Sequence, residues 1–124
     1  MYNIPERIKI LGKILMKVKA WNNGSYSPDG NGYGLKITTH DRDAFFRREW
    51  KSIWLELAGE SDPVEINIDK DSFWNNTCRE LISVRIGRWL IKNRLAPWRK
   101  GYPPVLTMVQ VEGKQFKLEY AKKL

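Results

Sequence analysis

The tripeptide Trp-Asn-Asn occurs twice in this chain of 124 residues, at residues 21–23 and 74–76. At each copy an apolar, strand-like run gives way to a polar segment. Asn is unfavourable inside strands and helices, but its side-chain amide can form two hydrogen bonds with the edge of an adenine base. Asn also favours turns, and Trp often anchors a loop onto a core. The repeat therefore indicates two polar loops that carry candidate base-contacting residues.

Polar side chains next to each copy could add hydrogen bonds to bases. Each Asn is as well suited to turn formation or capping as to a base contact, so the individual roles stay open. Arg79 could form a bidentate pair with guanine, contact a phosphate, or pair with a neighbouring acid. The predicted base-contacting residues are Asn22, Asn23, Ser25, Tyr26, Ser27, Asn31, Asn75, Asn76, Thr77 and Arg79.

Charge is unevenly distributed along the chain, whose net charge is +8. Residues 1–40 carry six basic and two acidic groups, residues 41–71 five and nine, and residues 72–124 eleven and three. Basic ends around an acidic middle predict a surface with one cationic face, which suits a nucleic-acid partner. A lipid surface is disfavoured, because no Lys-rich amphipathic terminal helix or lipidation motif is present.

The sequence contains few residues that could form a catalytic site. His40 is the only histidine and Cys78 the only cysteine, which excludes a histidine-based metal cluster and favours a structural thiol over a Cys-His pair. Metal-dependent nucleases place two acidic groups and a Lys at a strand end. Residues 62–70 approach that pattern, but Asn67 follows Glu65 where the Lys belongs. We predict no catalytic residue, no metal site and no cofactor, with a small metal-dependent nuclease as an alternative.

The elements that must position these residues are mostly strands. Alternating apolar and polar residues predict strands, and apolar residues at helical spacing predict two short helices. Such a mixed chain favours a closed or partly closed barrel. Strands are predicted at residues 8–21, 34–39, 52–57, 64–68, 105–111 and 116–119, and helices at residues 41–50 and 81–95.

The two predicted helices have different faces. Asp41 and Asp43 suit the cap and first turn of the first helix, and Ala44, Phe45 and Phe46 can bury one side of it. In the second helix, a basic row lies about 110° from the apolar stripe at roughly 100° per residue. The apolar stripe comprises Ile82, Ile86, Trp89 and Leu90, and the basic row comprises Arg85, Arg88 and Lys92.

The tryptophans are predicted to have mainly structural roles. Large aromatic side chains dominate core packing. Trp21 and Trp74 would brace their loops, and Trp98, with Arg99 and Lys100, would either extend the cationic face or cover the barrel end. The tryptophans predicted to build the core are Trp50, Trp54 and Trp89.

With strands, loops and helices in this order, the chain resembles the B3-like DNA-binding pseudobarrel of plant transcription factors and restriction-endonuclease recognition domains. The resemblance extends from about residue 12 to residue 119 and is most specific at residues 86–118, IGRWLIKNRLAPWRKGYPPVLTMVQVEGKQFKL. The segments WNNGSYSPDGNGYG, DRDAFFRREW and SFWNNTCREL are most similar to the restriction-enzyme branch. The Gly-Asp that plant members carry before the penultimate strand is replaced by WRKGYPP.

The resemblance implies a mainly β (α+β) fold, an open seven-stranded-type pseudobarrel with two short helices, as one domain over residues 1–124. In this family two loops, the N-arm and the C-arm, hold the major groove of double-stranded DNA. Here the N-arm is residues 21–33 and the C-arm is residues 69–85. The predicted phosphate contacts are Lys17, Lys19, Lys36, Arg85, Arg88, Lys92, Arg99 and Lys100.

We therefore expect the target-recognition module of a restriction endonuclease, whose nuclease lies in another domain or a partner subunit. This chain alone is not expected to be an enzyme. The alternative nucleic-acid partner is single-stranded DNA or RNA, whose bases would stack on exposed aromatic rings. The rings considered for that role are Tyr26, Tyr33, Trp74 and Trp98.

Length and composition suit one cytoplasmic domain. The 124 residues are 42% hydrophobic and 29% charged, which is ordinary for a globular protein with its own core. No apolar run is long enough to cross a membrane, and the start of the chain does not resemble a signal peptide. A single cysteine excludes an internal disulfide and fits a reducing compartment.

Overall fold

The computed structural model describes residues 9–10 and 13–120. Strands form where apolar and polar residues alternate, because one face of each strand is buried and the other faces solvent. Three short helices lie between them. In chain order the elements are β1 (Lys9–Ile10), β2 (Lys13–Asn22), β3 (Tyr33–Lys36), α1 (Thr39–Phe45), β4 (Ser52–Leu57), β5 (Val64–Asn67), α2 (Asp71–Trp74), β6 (Glu80–Ile82), α3 (Val84–Lys92), β7 (Val105–Glu112) and β8 (Gln115–Leu118).

The strands form a nearly closed barrel-like sheet. Seven of them follow the order β5-β4-β8-β7-β2-β3-β6, and β1 pairs only with β2. All described pairings are antiparallel except that of β4 with β8, which is parallel. The two ends of the path, β5 and β6, lie in contact without a ladder between them in the described part of the chain. The predicted mainly β pseudobarrel is confirmed.

Most predicted elements are present, with shifted ends. The strand predicted from residue 8 begins among residues that lie outside the described part of the chain, and β2 extends one residue further, to Asn22. The strands predicted at residues 52–57 and 64–68 correspond to β4 and β5. A third helix, α2, lies inside the C-arm, where only a loop was predicted.

The helix predicted at residues 81–95 is wrong at its start. Glu80–Ile82 forms β6, and Ser83 then caps α3, its hydroxyl accepting a hydrogen bond from the Arg85 amide at 3.2 Å. Ile82 lies on the outer face of the sheet and is 42% exposed, so it does not belong to the buried stripe of the helix. The buried side chains of α3 are Ile86, Trp89 and Leu90.

The first helix is shorter than predicted and has a different cap. Thr38 caps α1, accepting a hydrogen bond from the Asp41 amide at 3.1 Å, so Asp41 belongs to the first turn only. Phe45 and Phe46 are buried as predicted, but Ala44 is exposed.

The core lies between the inner faces of the strands and α3. Trp89 is 1% exposed, and its indole N–H donates to the Ala58 carbonyl at 2.8 Å. Trp50 is half-buried and packs against the core. Trp54 is 37% exposed, contrary to the prediction, because the two-residue period of β4 places it on the outer face with Glu56.

Candidate nucleic-acid interface

The two polar loops lie at opposite ends of the short strand β3. The N-arm joins β2 to β3, where Asn22 pairs with Tyr33. The C-arm joins β5 to β6, and its loop ends where Glu80 of β6 pairs with Lys36 of β3. Tyr33 and Lys36 are three residues apart along β3, so the roots of the two loops are separated by roughly 10 Å. The last residues of the predicted C-arm belong to β6 and to the start of α3, so the part that precedes β6 is residues 69–79, which include α2.

A cationic surface lies on the outer face of the sheet beside the root of the C-arm. Lys17 and Lys19 alternate with buried residues of β2, and Lys19 lies directly opposite Lys36 of β3. Together with Arg79 they line a cavity of about 250 Å³, which we call the basic strip. Like charges directly opposite in a sheet are destabilising. An anion bound between them would remove that repulsion.

The first Trp-Asn-Asn copy closes the base of the N-arm. The Asn22 carbonyl oxygen Oδ1 accepts a hydrogen bond from the Gly24 amide at 2.7 Å, and its Nδ2 is buried without a hydrogen-bond partner among the described residues. Asn23 Oδ1 accepts from the Ser25 amide at 3.1 Å and from the Ser25 hydroxyl at 2.7 Å. Asn23 Oδ1 thus already accepts two hydrogen bonds, and bidentate pairing with adenine would require one of them to be released. Asn22 Oδ1 keeps one lone pair, but its Nδ2 is buried, so bidentate pairing would require that donor to be exposed.

The tip of the N-arm is organised by Asp29. Its carboxylate accepts hydrogen bonds from the Ser27 hydroxyl at 2.7 Å, the Asn31 amide at 2.9 Å and the Asn31 side chain at 2.8 Å. The hydrogen bond from Ser27, followed by those from Asn31, lowers the pKa of this carboxyl below its ordinary value. The structure thus gives Ser27 and Asn31 a role in loop closure, and their base contacts remain predictions.

The N-arm is fixed to α3 by a close backbone approach. Gly30 has φ +92°, and a Cβ there would lie 2.6 Å from the Val84 carbonyl and 2.8 Å from the Arg88 amide. A Cβ on Gly87 would overlap the Gly30 carbonyl. Arg88 adds a hydrogen bond from Nε to the Asp29 carbonyl at 3.2 Å. The position of the N-arm therefore depends on glycine at this contact.

We expect Gly30→Ala to displace the N-arm and to destabilise the protein by about 1 kcal/mol more than Gly24→Ala. Both glycines have positive φ, where Ala is strained, but only Gly30 has atoms within 4 Å of the added Cβ. Chemical denaturation of the two variants measures the difference. Equal destabilisation would show that the contact with α3 does not hold the loop.

In the second Trp-Asn-Asn copy, the two Asn side chains have different hydrogen-bonding roles. Asn75 Oδ1 accepts hydrogen bonds from the Thr77 amide at 2.9 Å, the Thr77 hydroxyl at 3.0 Å and the Cys78 amide at 3.0 Å. The exposed Asn76 side chain makes no hydrogen bond within the described part of the chain. Of the four Asn residues in the two tripeptides, Asn76 therefore has the whole amide available for an external partner.

Two arginines hold the backbone of this copy. Arg42, on α1, is 4% exposed, and its Nη1 donates to the Phe73 carbonyl at 3.1 Å and to the Asn75 carbonyl at 2.5 Å. Arg79 donates from Nε to the Ile37 carbonyl at 2.9 Å and from Nη1 to the Asn76 carbonyl. Because two of its five N–H groups are bonded, Arg79 keeps donors for an external partner, and its contact with a base stays a prediction.

The sequence prediction missed Arg42. Its signal was positional, since it precedes the buried Phe45 by three residues and so shares a helix face with it. Trp74 braces the C-arm as predicted: its indole N–H donates to the Ile68 carbonyl at 2.9 Å, and the guanidinium carbons of Arg42 and Arg48 lie 5.7 and 5.5 Å from its ring.

The basic side chains of α3 that were predicted to contact phosphates differ in how far they are available to a partner. Arg85 is engaged internally, with Nη2 lying 3.2 Å from the Glu60 carboxylate and donating to the Asp62 carbonyl at 2.5 Å. Arg88 is exposed but bonded to the N-arm, and Lys92 is exposed in the last turn. Arg99 and Lys100 are exposed in the segment between α3 and β7.

The aromatic rings near the N-arm pack on one another. Tyr33 is 1% exposed, and the ring of Tyr26 lies edge-on to it with centroids 6.2 Å apart. Trp98 packs edge-on against Tyr26 at 5.6 Å and against Tyr33 at 5.8 Å. These contacts hold the N-arm to the barrel. Tyr26, Tyr33 and Trp98, which were considered for base stacking, therefore have a structural role.

The acidic residues of the nuclease-like segment are dispersed. The Ser52 hydroxyl donates to the Glu65 carboxylate at 2.6 Å, and Asp69 pairs with Lys51 at 3.6 Å. Over residues 9–10 and 13–120, no group of three or more His, Cys, Asp or Glu side chains is arranged to hold a metal ion.

Comparisons of this chain with family models, curated proteins and solved structures gave no match. Within the described residues, no helix has the length and apolar character needed to cross a membrane.

Proposed function

We propose that this domain binds double-stranded DNA sequence-specifically, with the N-arm and C-arm in the major groove, as the target-recognition module of a restriction endonuclease. The nuclease would lie in another domain or a partner subunit. One observation carries the proposal: the basic strip lies on the outer face of the sheet beside the root of the C-arm, roughly 10 Å along β3 from the root of the N-arm, and each loop is supported by its own helix. The resemblance of the three segments quoted above supports the link to restriction enzymes.

The spacing of the loops suits duplex DNA. Their roots are separated by the length of β3, roughly 10 Å, and the major groove is about 12 Å wide. Both loops can therefore reach one stretch of duplex. The loops are also held in place, by Gly30 against α3 and by Arg42 against the C-arm, which limits the entropy lost on binding.

The charges suit a phosphate backbone. Lys17, Lys19 and Lys36 project from the outer face of the sheet, and Lys19 and Lys36 repel each other until an anion is present. Phosphate contacts set the position of a protein on DNA without specifying sequence. Specificity then requires base contacts, and the free amide of Asn76 is the best-placed candidate.

Duplex DNA should compete better for this protein than single-stranded DNA or RNA of the same length. With about six phosphate contacts, affinity should fall on the order of a thousandfold between about 50 and 200 mM salt. A selection from random duplex sequences should enrich one short motif. Equal competition by single strands, or a shallow salt dependence, would contradict the proposal; enrichment of no motif would contradict its sequence-specific part.

A further inference from the structure

An exposed turn at residues 99–102 lies beside the N-arm. The Tyr102 amide donates to the Arg99 carbonyl at 2.9 Å, and Gly101, with φ +86°, occupies the third position of the turn. Tyr102 is 68% exposed, the largest value among the exposed large hydrophobic side chains of the described residues. The guanidinium carbon of Arg99 lies 5.1 Å from the centre of its ring. The turn thus presents an aromatic ring together with two cations, Arg99 and Lys100.

The turn is fixed to the barrel at both ends. Before it, Trp98 packs against Tyr26 of the N-arm with ring centroids 5.6 Å apart. After it, the Ala20 amide donates to the Pro104 carbonyl at 2.9 Å, so the backbone continues the pairing of β7 with β2. Two consecutive prolines, Pro103 and Pro104, restrict the backbone in between. The turn is therefore held beside the N-arm.

The surroundings of the turn favour a polyanion as its partner. Val105, which follows the turn after two prolines, pairs with Lys19 of the basic strip. The sequence contains no Asp or Glu from residue 81 to residue 111, while this stretch holds six basic residues. A protein partner would bring both signs of charge to such a surface, whereas a nucleic-acid backbone carries only negative charge.

We infer that this turn is a third DNA-contacting element, which binds the sugar-phosphate backbone next to the segment contacted by the N-arm. Arg99 and Lys100 would each neutralise a phosphate, and the Tyr102 ring would pack on a deoxyribose while its hydroxyl donates to a phosphate oxygen. This inference rests on the proposed function, and it adds Tyr102 to the interface.

The test uses the full chain, a mixed-sequence duplex of about 30 base pairs and a series of salt concentrations. For Arg99→Gln/Lys100→Gln we expect the slope of log affinity against log salt to decrease by nearly 2, because each lost phosphate contact removes about 0.9. Tyr102→Ala should weaken duplex binding severalfold at every salt concentration without changing the slope. Lys114→Gln, in the turn between β7 and β8, is the matched control and should change neither.

The outcomes separate this inference from the proposed function. If the unmodified protein fails to bind duplex DNA, the proposed function is wrong and this inference falls with it. If the protein binds with a steep salt dependence but Arg99→Gln/Lys100→Gln keeps the full slope, only the third element is overturned. A Tyr102→Ala effect confined to single-stranded DNA would likewise overturn the contact with the duplex backbone. Thermal unfolding should be unchanged in all three variants, since their side chains are exposed.

Discussion

Replacing Lys17, Lys19 and Lys36 together with Gln is expected to lower the affinity for duplex DNA on the order of a hundredfold at about 0.15 M salt. The slope of log affinity against log salt should decrease by nearly 3, at about 0.9 for each lost phosphate contact. The reason is that these three side chains supply three of the four cationic groups that line the cavity of the basic strip. Fluorescence anisotropy with a labelled duplex, repeated over a range of salt concentrations, measures both quantities.

The triple variant should not lose stability. Lys19 and Lys36 lie directly opposite each other, so their removal relieves a repulsion within the sheet. Among the described residues, the one side-chain hydrogen bond of these lysines is that of Lys17 to the Thr107 hydroxyl, at 3.1 Å, and it is exposed. We therefore expect an unchanged or higher melting temperature, which separates loss of binding from loss of folding.

Lys114→Gln is the control for charge alone. Lys114 follows the far end of the eight-residue strand β7, whose first residue borders the basic strip. At about 3.3 Å per residue, the two ends of that strand lie more than about 20 Å apart, which exceeds the screening length of roughly 8 Å at physiological salt. The two variants are compared by the decrease in the logarithm of the affinity. If the decrease in the triple variant is no more than three times the decrease in Lys114→Gln, the basic strip is not a DNA contact.

The barrel was predictable because its strands follow a largely two-residue period. β4 was predicted with the correct ends, since Ser52, Trp54 and Glu56 alternate with Ile53, Leu55 and Leu57. The same period places Trp54 on the outer face, but the preference of large aromatic side chains for cores favoured its burial, and the residue is 37% exposed. Periodicity gives the element, whereas burial depends on which surfaces the other elements cover.

The strand β6 was not predicted, because the sequence that follows it has a helical pattern. Ile82 continues the apolar stripe of α3 at helical spacing, so the pattern extends the helix backwards. What ends the helix there is the extended backbone of Ser83, with φ −161°, and the pairing of Leu81 with Leu35 on β3. A partner strand far away in sequence decided this boundary, and the local signal for it was Ser83, a favoured N-cap residue.

The loops were located from sequence, but the roles of their Asn residues were not distinguishable. Asn23 and Asn75 each accept hydrogen bonds from residues that follow them, and these bonds exist only because the loops turn back at that point. At the base of the N-arm, the Asn23 side chain packs against Gly32, whose φ is +79°. The two identical tripeptides therefore leave different side-chain amide groups available to a partner, and this difference arises from loop conformation.

Asn76→Ala is expected to relax discrimination at one base pair by about 1–3 kcal/mol while leaving the free energy of unfolding within about 0.5 kcal/mol. The physical reason is that the exposed Asn76 amide makes no hydrogen bond in the described residues. The measurement compares affinities for the selected motif and for duplexes with each base pair changed in turn. A uniform loss over all these duplexes would show that Asn76 does not contact a base.

Asn75→Ala is the matched variant, one residue away on the same loop. It removes the acceptor for the Thr77 amide, the Thr77 hydroxyl and the Cys78 amide, so we expect a loss of about 1–2 kcal/mol in the free energy of unfolding. Its effect on binding should be indirect, through a less ordered C-arm. In the Asn75→Ala background, Asn76→Ala should then cost less discrimination than in the unmodified protein, because the amide is no longer held in position. Additive effects of the two substitutions would mean that Asn76 acts independently of the loop conformation that Asn75 maintains.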